Sequence, residues 1–357
     1  MPTQTIEHMN IAGVCCSLPG EPIQIKDIPS TFTEKDLKKF TKMTGVQQLY
    51  RADPSQTTAD LCQAAAEQLL HDLNWDKSTI DGIIFVSQNP DYVIPATACV
   101  LQHKLGLPTT SFAFDVNLGC SGYVYGIWMA GKMLDRNSCK RILLLNGDVS
   151  SFSSSPEDHS VSLLFGDAGA ATAIEYREQS GQSSFVLGTD GSGYEHLIIP
   201  GGAARNRRTS ETSIRSVDHD GVVRSQDDIY MNGIEVFNFT LREIPALISS
   251  VREIQGWTDS EVDSYAFHQA NKFLLEQLVR KMGITAEKLP INIGEYGNTS
   301  SATVPLVLLD ILKNREKENR LNIVLAGFGV GLSWAAAALN MEHTKYSEIV
   351  YLDKGEC

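Results

Sequence analysis

The sequence lacks an excess of basic residues, which is the charge that proteins use to bind nucleic-acid phosphates. Its 357 residues include 43 acidic side chains against 30 lysines and arginines, which gives a formal net charge of -13. A chain that binds DNA or RNA carries a basic face instead. We therefore expect no nucleic-acid partner.

Long apolar runs and a regular cysteine pattern are also missing. No stretch reaches the roughly 20 apolar residues that a membrane-spanning helix needs, and the opening MPTQTIEHMN has no apolar core of the kind found in secretory signals. The seven cysteines have no C-x-x-C spacing, so the sequence predicts neither a disulfide framework nor a zinc site. We expect a cytoplasmic protein with reduced thiols, no membrane insertion and no bound metal.

What the sequence does contain is an alternation of short apolar runs with amphipathic stretches. The apolar runs are typical of fully buried strands and lie at residues 82–88, 111–117, 141–148, 170–176, 262–269 and 322–328. The helical stretches lie at residues 59–73, 96–105, 123–134, 233–253 and 272–282. Such alternation predicts an α/β fold in which helices cover both faces of each sheet.

The two parts of the chain have the same order of features. Each contains a long helix, a buried strand, a polar turn and a helix rich in small residues. We therefore predict an internal duplication, with one half spanning residues 1–178 and the other spanning residues 179–357. Residues 178–228 are richer in Gly, Ser and Arg, and we expect them to connect the halves through long surface loops.

Cys120 lies where a predicted strand turns sharply into a helix, between Gly119 and Gly122. A sulfur over a helix N-terminus faces unpaired backbone N–H groups and the positive end of the helix dipole, which favour thiolate over thiol. The same N–H groups can hold the oxyanion that forms on an attacked carbonyl. The sequence therefore predicts a nucleophile, and the alternative is a small buried residue like Cys62 or Cys99.

Two later turns also carry reactive side chains. His268 ends a buried run, and Asn298 stands in the turn GNTSSATVP before an apolar helix. Taken alone, His268 is more simply a structural histidine, and Asn298 is more simply a turn or capping residue. Together with Cys120 they could converge at one end of packed sheets. A thiolate could then accept an acyl group, while two neutral N–H donors polarise a second thioester.

The glycine-rich segment AGFGVGLSW at residues 326–334 follows another buried run. It does not fit the dinucleotide pattern G-x-G-x-x-G, because the last position is Leu332 or Trp334, depending on the register. We interpret it as a tight turn that offers backbone N–H groups and leads into an alanine-rich helix. In the segment FGDAGAA, small residues indicate close packing, and we expect Asp167 to fix a turn without a catalytic role.

Taken together, these motifs resemble the β-ketoacyl-acyl-carrier-protein synthase III enzymes of the thiolase superfamily across nearly the whole chain. The matching segments follow the family's order: GCSG at 119–122, FGD at 165–167, DGSGY at 190–194, HQAN at 268–271, GNTSSA at 297–302 and GFGVGLSW at 327–334. The resemblance implies a thiolase-like fold, internally duplicated with αβαβα five-layer architecture, and a homodimer. It implies decarboxylative Claisen condensation of an acyl primer with a malonyl thioester, without a metal or redox cofactor.

The resemblance also implies roles for the reactive residues. Cys120 would carry the acyl group, and the N–H groups of Cys120 and Val330 would form the oxyanion hole. His268 and Asn298 would hold the malonyl thioester oxygen while carbon dioxide leaves.

Substrate-binding roles follow from the same resemblance. Phe328 and Ile94 would shape the acyl pocket, with Ile94 at the position from which the family reaches into the partner subunit. Lys272, Arg280 and Lys281 match the family's basic patch for the acyl carrier protein. Cations in the last turn of a helix explain that patch equally well.

The chain departs from the family pattern around the nucleotide of coenzyme A. The bacterial fatty-acid enzymes clamp this nucleotide with a tryptophan and arginines, and the matching positions here hold Lys39, Met43, His159 and Phe273. Losing bidentate arginines weakens phosphate binding. Of the two donors, acyl carrier protein and acyl-coenzyme A, we therefore expect the primer to arrive on the carrier protein or on an unusual thioester.

Three other functions remain open. An acyltransferase would keep Cys120 and His268 but deliver the acyl group to an amine or hydroxyl; Asn298 favours condensation, because relatives that abandon decarboxylation often change it. A non-catalytic subunit of a heterodimer would usually lack the nucleophile. A cysteine hydrolase would use water as the acceptor, and Asn298 could then orient the histidine.

Overall fold

Two large mixed β-sheets form the centre of the fold. The structure is a computed structural model that describes residues 2–28, 32–315, 318–353 and 355. The strands are β1 Thr3–Ile6, β2 Met9–Pro19, β3 Ile23–Gln24, β4 Gln48–Leu49, β5 Gly82–Val86, β6 Phe112–Val116, β7 Arg141–Asp148, β8 Ala168–Tyr176, β9 Ser183–Thr189, β10 Leu197–Ile198, β11 Ser216–Val217, β12 Val223–Arg224, β13 Tyr230–Met231, β14 Ser264–Phe267, β15 Arg320–Gly329, β16 Ser333–Glu342, β17 Lys345–Tyr346 and β18 Val350–Leu352. The α-helices are α1 Glu34–Thr44, α2 Thr58–Leu73, α3 Thr97–Lys104, α4 Gly122–Met133, α5 Gly233–Gln255, α6 Lys272–Met282, α7 Ile293–Tyr296 and α8 Thr303–Asn314.

The two sheets repeat one strand arrangement. The first sheet has the order β17-β2-β8-β7-β5-β6, with β18 also paired to β2, and the second has the order β1-β9-β16-β15-β14. In both, two antiparallel pairings are followed by a parallel one, along β2-β8-β7-β5 and along β9-β16-β15-β14. This shared topology confirms the predicted internal duplication. Strand β1 adds to the second sheet and β17 and β18 to the first, so each half contributes terminal strands to the other.

Successive residues of the central strands pack against different helix layers. Ile84 of β5 belongs to the hydrophobic cluster that contains α4 and α8, whereas its neighbour Ile83 packs with α2 and α3. In the second sheet, Leu325 of β15 packs in the same α4 and α8 cluster, and Val324 packs with α5 and α6. Helices α4 and α8 therefore lie between the sheets, and the outer faces carry one helix layer each. This confirms the five-layer αβαβα, thiolase-like fold.

The alanine-rich segment after Trp334 is strand β16, so the helix predicted there is wrong. Residues 335–338 are fully buried and alternate between the two hydrophobic clusters on either face of the second sheet. Strand β16 is hydrogen-bonded to β15 on one side and to β9 on the other. The backbone partners on both edges override the helix propensity of alanine, and the small side chains let helices approach both faces.

The connection between the halves also differs from its prediction. Residues 178–228 include β9, which pairs with β1 and β16 inside the second sheet. The expected connection with long surface loops did not include this strand, since a short serine-rich run gives little period-two signal. The remainder forms short strand pairs and exposed turns. No helix in the described ranges is long and apolar enough to cross a bilayer.

Candidate active site

Cys120 lies in the turn between β6 and α4. The Gly122 backbone N–H donates to the Gly119 carbonyl at 2.7 Å and closes this turn. Helix α4 lies in the middle layer, so the turn places Cys120 between the two sheets, where only 6% of the residue is exposed. Asn298 precedes α8, the other middle helix, and thus occupies the corresponding place in the second half.

The backbone holds His268 and Asn298 in fixed positions. The N–H of His268 donates to the Ala326 carbonyl at 2.8 Å, which continues the parallel pairing of β14 with β15. The N–H of Asn298 donates to the Leu164 carbonyl at 2.9 Å, and its carbonyl accepts from the Gly166 N–H at 3.1 Å. The second of these bonds joins the FGD segment of the first half to the Asn298 turn of the second.

A cavity of about 440 Å³ brings the predicted catalytic residues together. Cys120, His268 and Asn298 all line it, with Phe328 and Gly329 from the end of β15. A sulfur, an imidazole and an amide from three separate segments therefore line one cavity. The three residues converge as predicted, and such an arrangement can present a nucleophile and several N–H donors to a thioester carbonyl.

Gly329 allows the end of β15 to pass directly beside the sulfur of Cys120. A Cβ atom built on Gly329 would lie 2.8 Å from Sγ and 2.8 Å from Cβ of Cys120, closer than any side chain tolerates. The next residue, Val330, directs its backbone N–H to the thiol. The glycine-rich segment thus forms the tight turn with inward N–H groups that its sequence indicates.

Burial determines the protonation of the two titratable groups in the cavity. It raises the pKa of the Cys120 thiol to about 11, although the Val330 and Cys120 backbone N–H groups and the Ser300 hydroxyl oppose the shift. Burial also lowers the pKa of His268 to about 4. At neutral pH the site therefore contains a neutral thiol and a neutral imidazole. The backbone N–H groups favour the thiolate, as the sequence indicates, but the loss of water around the buried sulfur outweighs their effect on the pKa.

The Asn298 amide is oriented by its own turn. Its Oδ1 accepts a hydrogen bond from the Ser300 backbone N–H at 3.0 Å. The carbonyl end of the amide is thereby occupied, and Nδ2 remains as the donor on a residue that lines the cavity. Asn298 can therefore donate to a substrate oxygen without first breaking a bond at Nδ2.

Thr303 holds the ring of His268, and sequence reasoning gave it no role. The Nδ1 atom of His268 lies 2.7 Å from Oγ1 of Thr303, and that hydroxyl donates to the Ser300 carbonyl at 2.9 Å. Phe328 packs edge-on against the imidazole, with ring centroids 5.6 Å apart and planes at 88°. The sequence signal for Thr303 was a hydroxyl residue in the motif that contains Asn298. Three other hydroxyl residues lie between Asn298 and Thr303, so the sequence could not show which of them contacts the histidine.

A second residue without a predicted role is Asp148, at the end of β7. Its carboxylate accepts from the Ser87 hydroxyl at 3.0 Å and from the Gln88 N–H at 2.7 Å. Burial raises its pKa to about 6, and these bonds oppose the shift. Asp148 therefore holds the segment after β5.

Asp167 fixes a turn, as predicted. Its carboxylate accepts hydrogen bonds from the backbone N–H groups of Ala52 and Ser151 and from the Ser151 hydroxyl, at 2.8, 3.0 and 2.6 Å.

The cavity opens through an apolar mouth, formed by Met43, Ile234, Phe237 and Phe273. Phe237 and Phe273 stack with centroids 5.7 Å apart and planes at 15°. Met43, Ile234 and Phe273 are partly exposed to solvent. Two of the four departures from the family's nucleotide clamp, Met43 and Phe273, thus lie in this mouth.

The two other departures lie close by. His159 also lines the cavity and stacks on Phe32, with centroids 3.9 Å apart and planes at 24°. Lys39 is exposed on α1, the helix that also carries Met43.

The remaining predicted residues lie outside the cavity lining of the described chain. Ile94 is 84% exposed in the loop before α3, so one protomer does not bring it to Cys120. The predicted docking residues Lys272, Arg280 and Lys281 are exposed on α6. The Lys272 ammonium lies 3.9 Å from Glu276, and that of Lys281 donates to a backbone carbonyl of α5 at 2.8 Å.

Comparison with known proteins gives matches over most of the chain. The family model described as 3-oxoacyl-[acyl-carrier-protein (ACP)] synthase III matches residues 114–191, and the model of its C-terminal region matches residues 253–341. The β-ketoacyl-[acyl-carrier-protein] synthase III of Desulfitobacterium hafniense strain Y51 is 32% identical over 336 residues, which are 93% of this chain and 97% of that protein.

Solved structures agree with these matches. A 3-oxoacyl-(acyl-carrier protein) synthase from Burkholderia xenovorans LB400 superposes with a TM-score of 0.92 at 39% identity, over 98% of this chain and 99% of that one. The β-ketoacyl-[acyl-carrier-protein] synthase III of Thermus thermophilus superposes with a TM-score of 0.81 at 28% identity, over 94% and 99% of the two chains.

Proposed function

The chain belongs to the 3-oxoacyl-[acyl-carrier-protein] synthase III family, and from that membership we propose that it loads an acyl group onto Cys120 and condenses it with malonyl-acyl carrier protein. It is a condensing enzyme of the acyltransferase class. The observation that carries the assignment of residues is the convergence of Cys120, His268 and Asn298 on one cavity.

Loading begins from the neutral thiol and imidazole. His268 takes the proton of the Cys120 thiol as the sulfur attacks the carbonyl carbon of the incoming thioester. The backbone N–H groups of Cys120 and Val330 hold the resulting oxyanion. When the tetrahedral intermediate collapses, the carbon–sulfur bond to the carrier breaks, and the departing thiolate takes the proton from His268. The acyl group is then a thioester of Cys120.

Condensation uses the two side chains as donors. The bond from the malonyl group to its carboxylate breaks, carbon dioxide leaves, and the electron pair enters the thioester as an enolate. N–H groups of His268 and Asn298 stabilise the charge on the enolate oxygen. The new carbanion attacks the acyl carbon on Cys120, the bond from that carbon to the sulfur breaks, and the cysteine leaves as a thiolate that takes a proton from water. Loss of carbon dioxide supplies the carbanion, so the reaction needs no metal or redox cofactor.

The donor of the primer is an acyl carrier protein rather than coenzyme A. The apolar mouth supports this, because Met43 and Phe273 offer no charged hydrogen bonds to a nucleotide phosphate. The exposed cations of α6, Lys272, Arg280 and Lys281, would contact an acidic carrier surface.

A homodimer and a cytoplasmic location complete the proposal. Strand β6 is the unpaired edge of the first sheet, and its residues, with the stacked rings of Phe112 and Phe114, are only half-buried in the described protomer. Val93 and Ile94 are almost fully exposed in a neighbouring loop. Apolar side chains exposed in this way are typical of a surface that a second subunit covers.

Intact-protein mass spectrometry tests the function and the donor together. Wild type and Cys120→Ala are incubated with matched acyl-coenzyme A and acyl-carrier-protein thioesters and then with malonyl-carrier protein. We expect acyl mass on wild type alone, faster loading from the carrier protein, and discharge as a β-ketoacyl product with release of carbon dioxide. Faster loading from coenzyme A would contradict the donor assignment while leaving the condensation intact.

The acyltransferase alternative predicts a different result when malonyl-carrier protein is added. The acyl group would stay on Cys120 and would be removed only by an amine or alcohol acceptor. Asn298 disfavours it, because transfer to such an acceptor forms no enolate that would need a second side-chain donor. Discharge to water in the absence of any acceptor would indicate a hydrolase instead.

A further inference from the structure

The hydrogen bonds of Thr303 define which nitrogen of His268 carries the proton. Thr303 is buried at the first position of α8, and its hydroxyl lies between Nδ1 of His268 at 2.7 Å and the carbonyl of Ser300 at 2.9 Å. Both distances are those of ordinary hydrogen bonds. The question that follows is which of the three groups donates in each contact.

Counting protons shows how both contacts can be hydrogen bonds at once. The hydroxyl of Thr303 has a single proton, and the carbonyl of Ser300 can only accept. When Thr303 donates to Ser300, its oxygen accepts in the contact with Nδ1. In this arrangement, which makes a hydrogen bond of both contacts, the neutral ring carries its proton on Nδ1 and Nε2 has a lone pair. Phe328 contacts the ring at its edge and offers it no polar group, whereas the Ser300 backbone also hydrogen-bonds to the imidazole and opposes the fall in its pKa.

This tautomer suits one half of the reaction better than the other. Loading needs a lone pair at Nε2 to take the proton of Cys120. Stabilising the enolate oxygen needs an N–H at the same atom. A ring held with its proton on Nδ1 is ready for loading, and it must change tautomer before it can donate in the condensation step.

On the basis of the function proposed above, we infer that Thr303 is a positioning residue that holds His268 in the tautomer required to accept the Cys120 proton. For condensation, Nε2 accepts a proton from water and Nδ1 releases its proton to water, so the charge of the ring does not change. The Thr303 hydroxyl then turns to donate to Nδ1 and gives up the Ser300 carbonyl. Thr303 thus stabilises the His268 tautomer that loading needs, with the proton on Nδ1, relative to the tautomer that donates from Nε2 during condensation.

Nitrogen-15 NMR of the imidazole tests this directly. Protonated and unprotonated ring nitrogens have well-separated shifts, and the His268 signals are assigned by their absence in His268→Gln. In free wild-type enzyme at neutral pH we expect the proton on Nδ1. Thr303→Ser keeps the hydroxyl and should keep this tautomer, whereas Thr303→Val keeps the shape and should shift the population towards Nε2–H. A wild-type ring protonated on Nε2, or an unchanged ring in Thr303→Val, would overturn the inference.

The two half-reactions provide a kinetic readout that a purely structural role would not separate. Acyl loading of Cys120 should slow by about five- to tenfold in Thr303→Val, the effect of losing one hydrogen bond on the tautomer ratio. Loading should be near normal in Thr303→Ser. Decarboxylation of malonyl-carrier protein, measured in a Cys120→Ala background, should be unchanged or faster in Thr303→Val. An equal loss in both half-reactions would contradict the inference.

Failure of the inference can be distinguished from failure of the proposed function. The tautomer is read in the free enzyme, without any substrate, so it does not depend on which reaction the protein catalyses. If wild type neither loads an acyl group nor decarboxylates malonyl-carrier protein, the proposed function is wrong even when Nδ1 carries the proton. If wild type does both but carries the proton on Nε2, the role of Thr303 alone is wrong.

Discussion

Gly329 lies so close to Cys120 that a single added methyl group would overlap the nucleophile. The distances from its built Cβ to both side-chain atoms of Cys120 are 2.8 Å. The end of β15 therefore forms one wall of the site through its backbone. The same close approach lets the Val330 N–H reach the sulfur.

Gly329→Ala is accordingly expected to displace Cys120 from its N–H groups. A displacement of about 1 Å can reduce the rate of a positioned reaction by about 100-fold, and we expect acyl loading to fall by that order. The matched control is Gly191→Ala, because no atom lies within 4 Å of a Cβ built there. Loading rates from mass spectrometry, with melting temperatures for both variants, check this. Normal loading in Gly329→Ala would show that the wall yields without moving Cys120.

Asn298→Ala should separate loading from condensation. The amide is proposed to act only on the enolate oxygen, so Cys120 should still acquire an acyl group. Removing one donor of this kind typically slows the step it serves by about 100- to 1,000-fold, and release of carbon dioxide from malonyl-carrier protein should fall accordingly. Radiolabelled carbon dioxide measures the step.

Asn271→Ala is the control for Asn298→Ala. Asn271 lines the same cavity, but its Oδ1 caps α6 by accepting from the Leu274 N–H at 2.8 Å. Its loss should lower the melting temperature and leave decarboxylation near normal. A similar loss of decarboxylation in both variants would mean that Asn298 acts through the structure of the cavity.

Phe273→Arg should improve the use of coenzyme A thioesters. The substitution introduces a guanidinium into the apolar mouth, where it can bind a phosphate. An exposed ionic contact is typically worth about 1 kcal/mol or less, so we expect KM for acyl-coenzyme A to fall by up to about fivefold. Phe273→Leu keeps the mouth apolar and should have no such effect. Steady-state kinetics with both donors check this, and an unchanged KM in Phe273→Arg would imply that the mouth does not contact the nucleotide.

The pH dependence should reflect a protonated Cys120 and a neutral His268. With a thiol pKa of about 11, the thiolate fraction and the alkylation of Cys120 by iodoacetamide should rise about tenfold per pH unit up to that value. With an imidazole pKa of about 4, His268 loses its lone pair only below that pH, so loading should be insensitive to His268 from pH 6 upward. Alkylation that reaches its plateau near pH 8 would mean that the sulfur is a thiolate at rest. The exposed Cys99 provides an internal reference in the same peptide map.

Much of the fold could be predicted because its strands are buried on both faces. The apolar run at 141–148 is strand β7, and the amphipathic stretch at 272–282 is helix α6. Strand β16 could not be recognised in this way, since its alanines have a helical propensity that only its hydrogen-bonded neighbours override.

Some residues of the candidate site could likewise be predicted from the sequence, and others could not. Cys120, His268 and Asn298 could be found because each has a reactive side chain beside a strand end or a helix start. Thr303 and Asp148 could not, because their importance lies in hydrogen bonds to segments far away in the chain. The raised pKa of Cys120 could not be predicted for a related reason: burial by distant segments has no local signature in the sequence.

The terminal strands have a consequence for the synthesis of the chain. Strand β2 pairs with β8 on one side and with β17 and β18 on the other, and β18 ends at Leu352 of a chain of 357 residues. A nascent chain therefore presents the bare outer edge of β2 until β17 and β18 have been synthesised, and a product that stops before these strands keeps that edge exposed. Open backbone of this kind pairs with other chains. Copies that lack β17 and β18 are thus expected to aggregate more readily than copies that contain them.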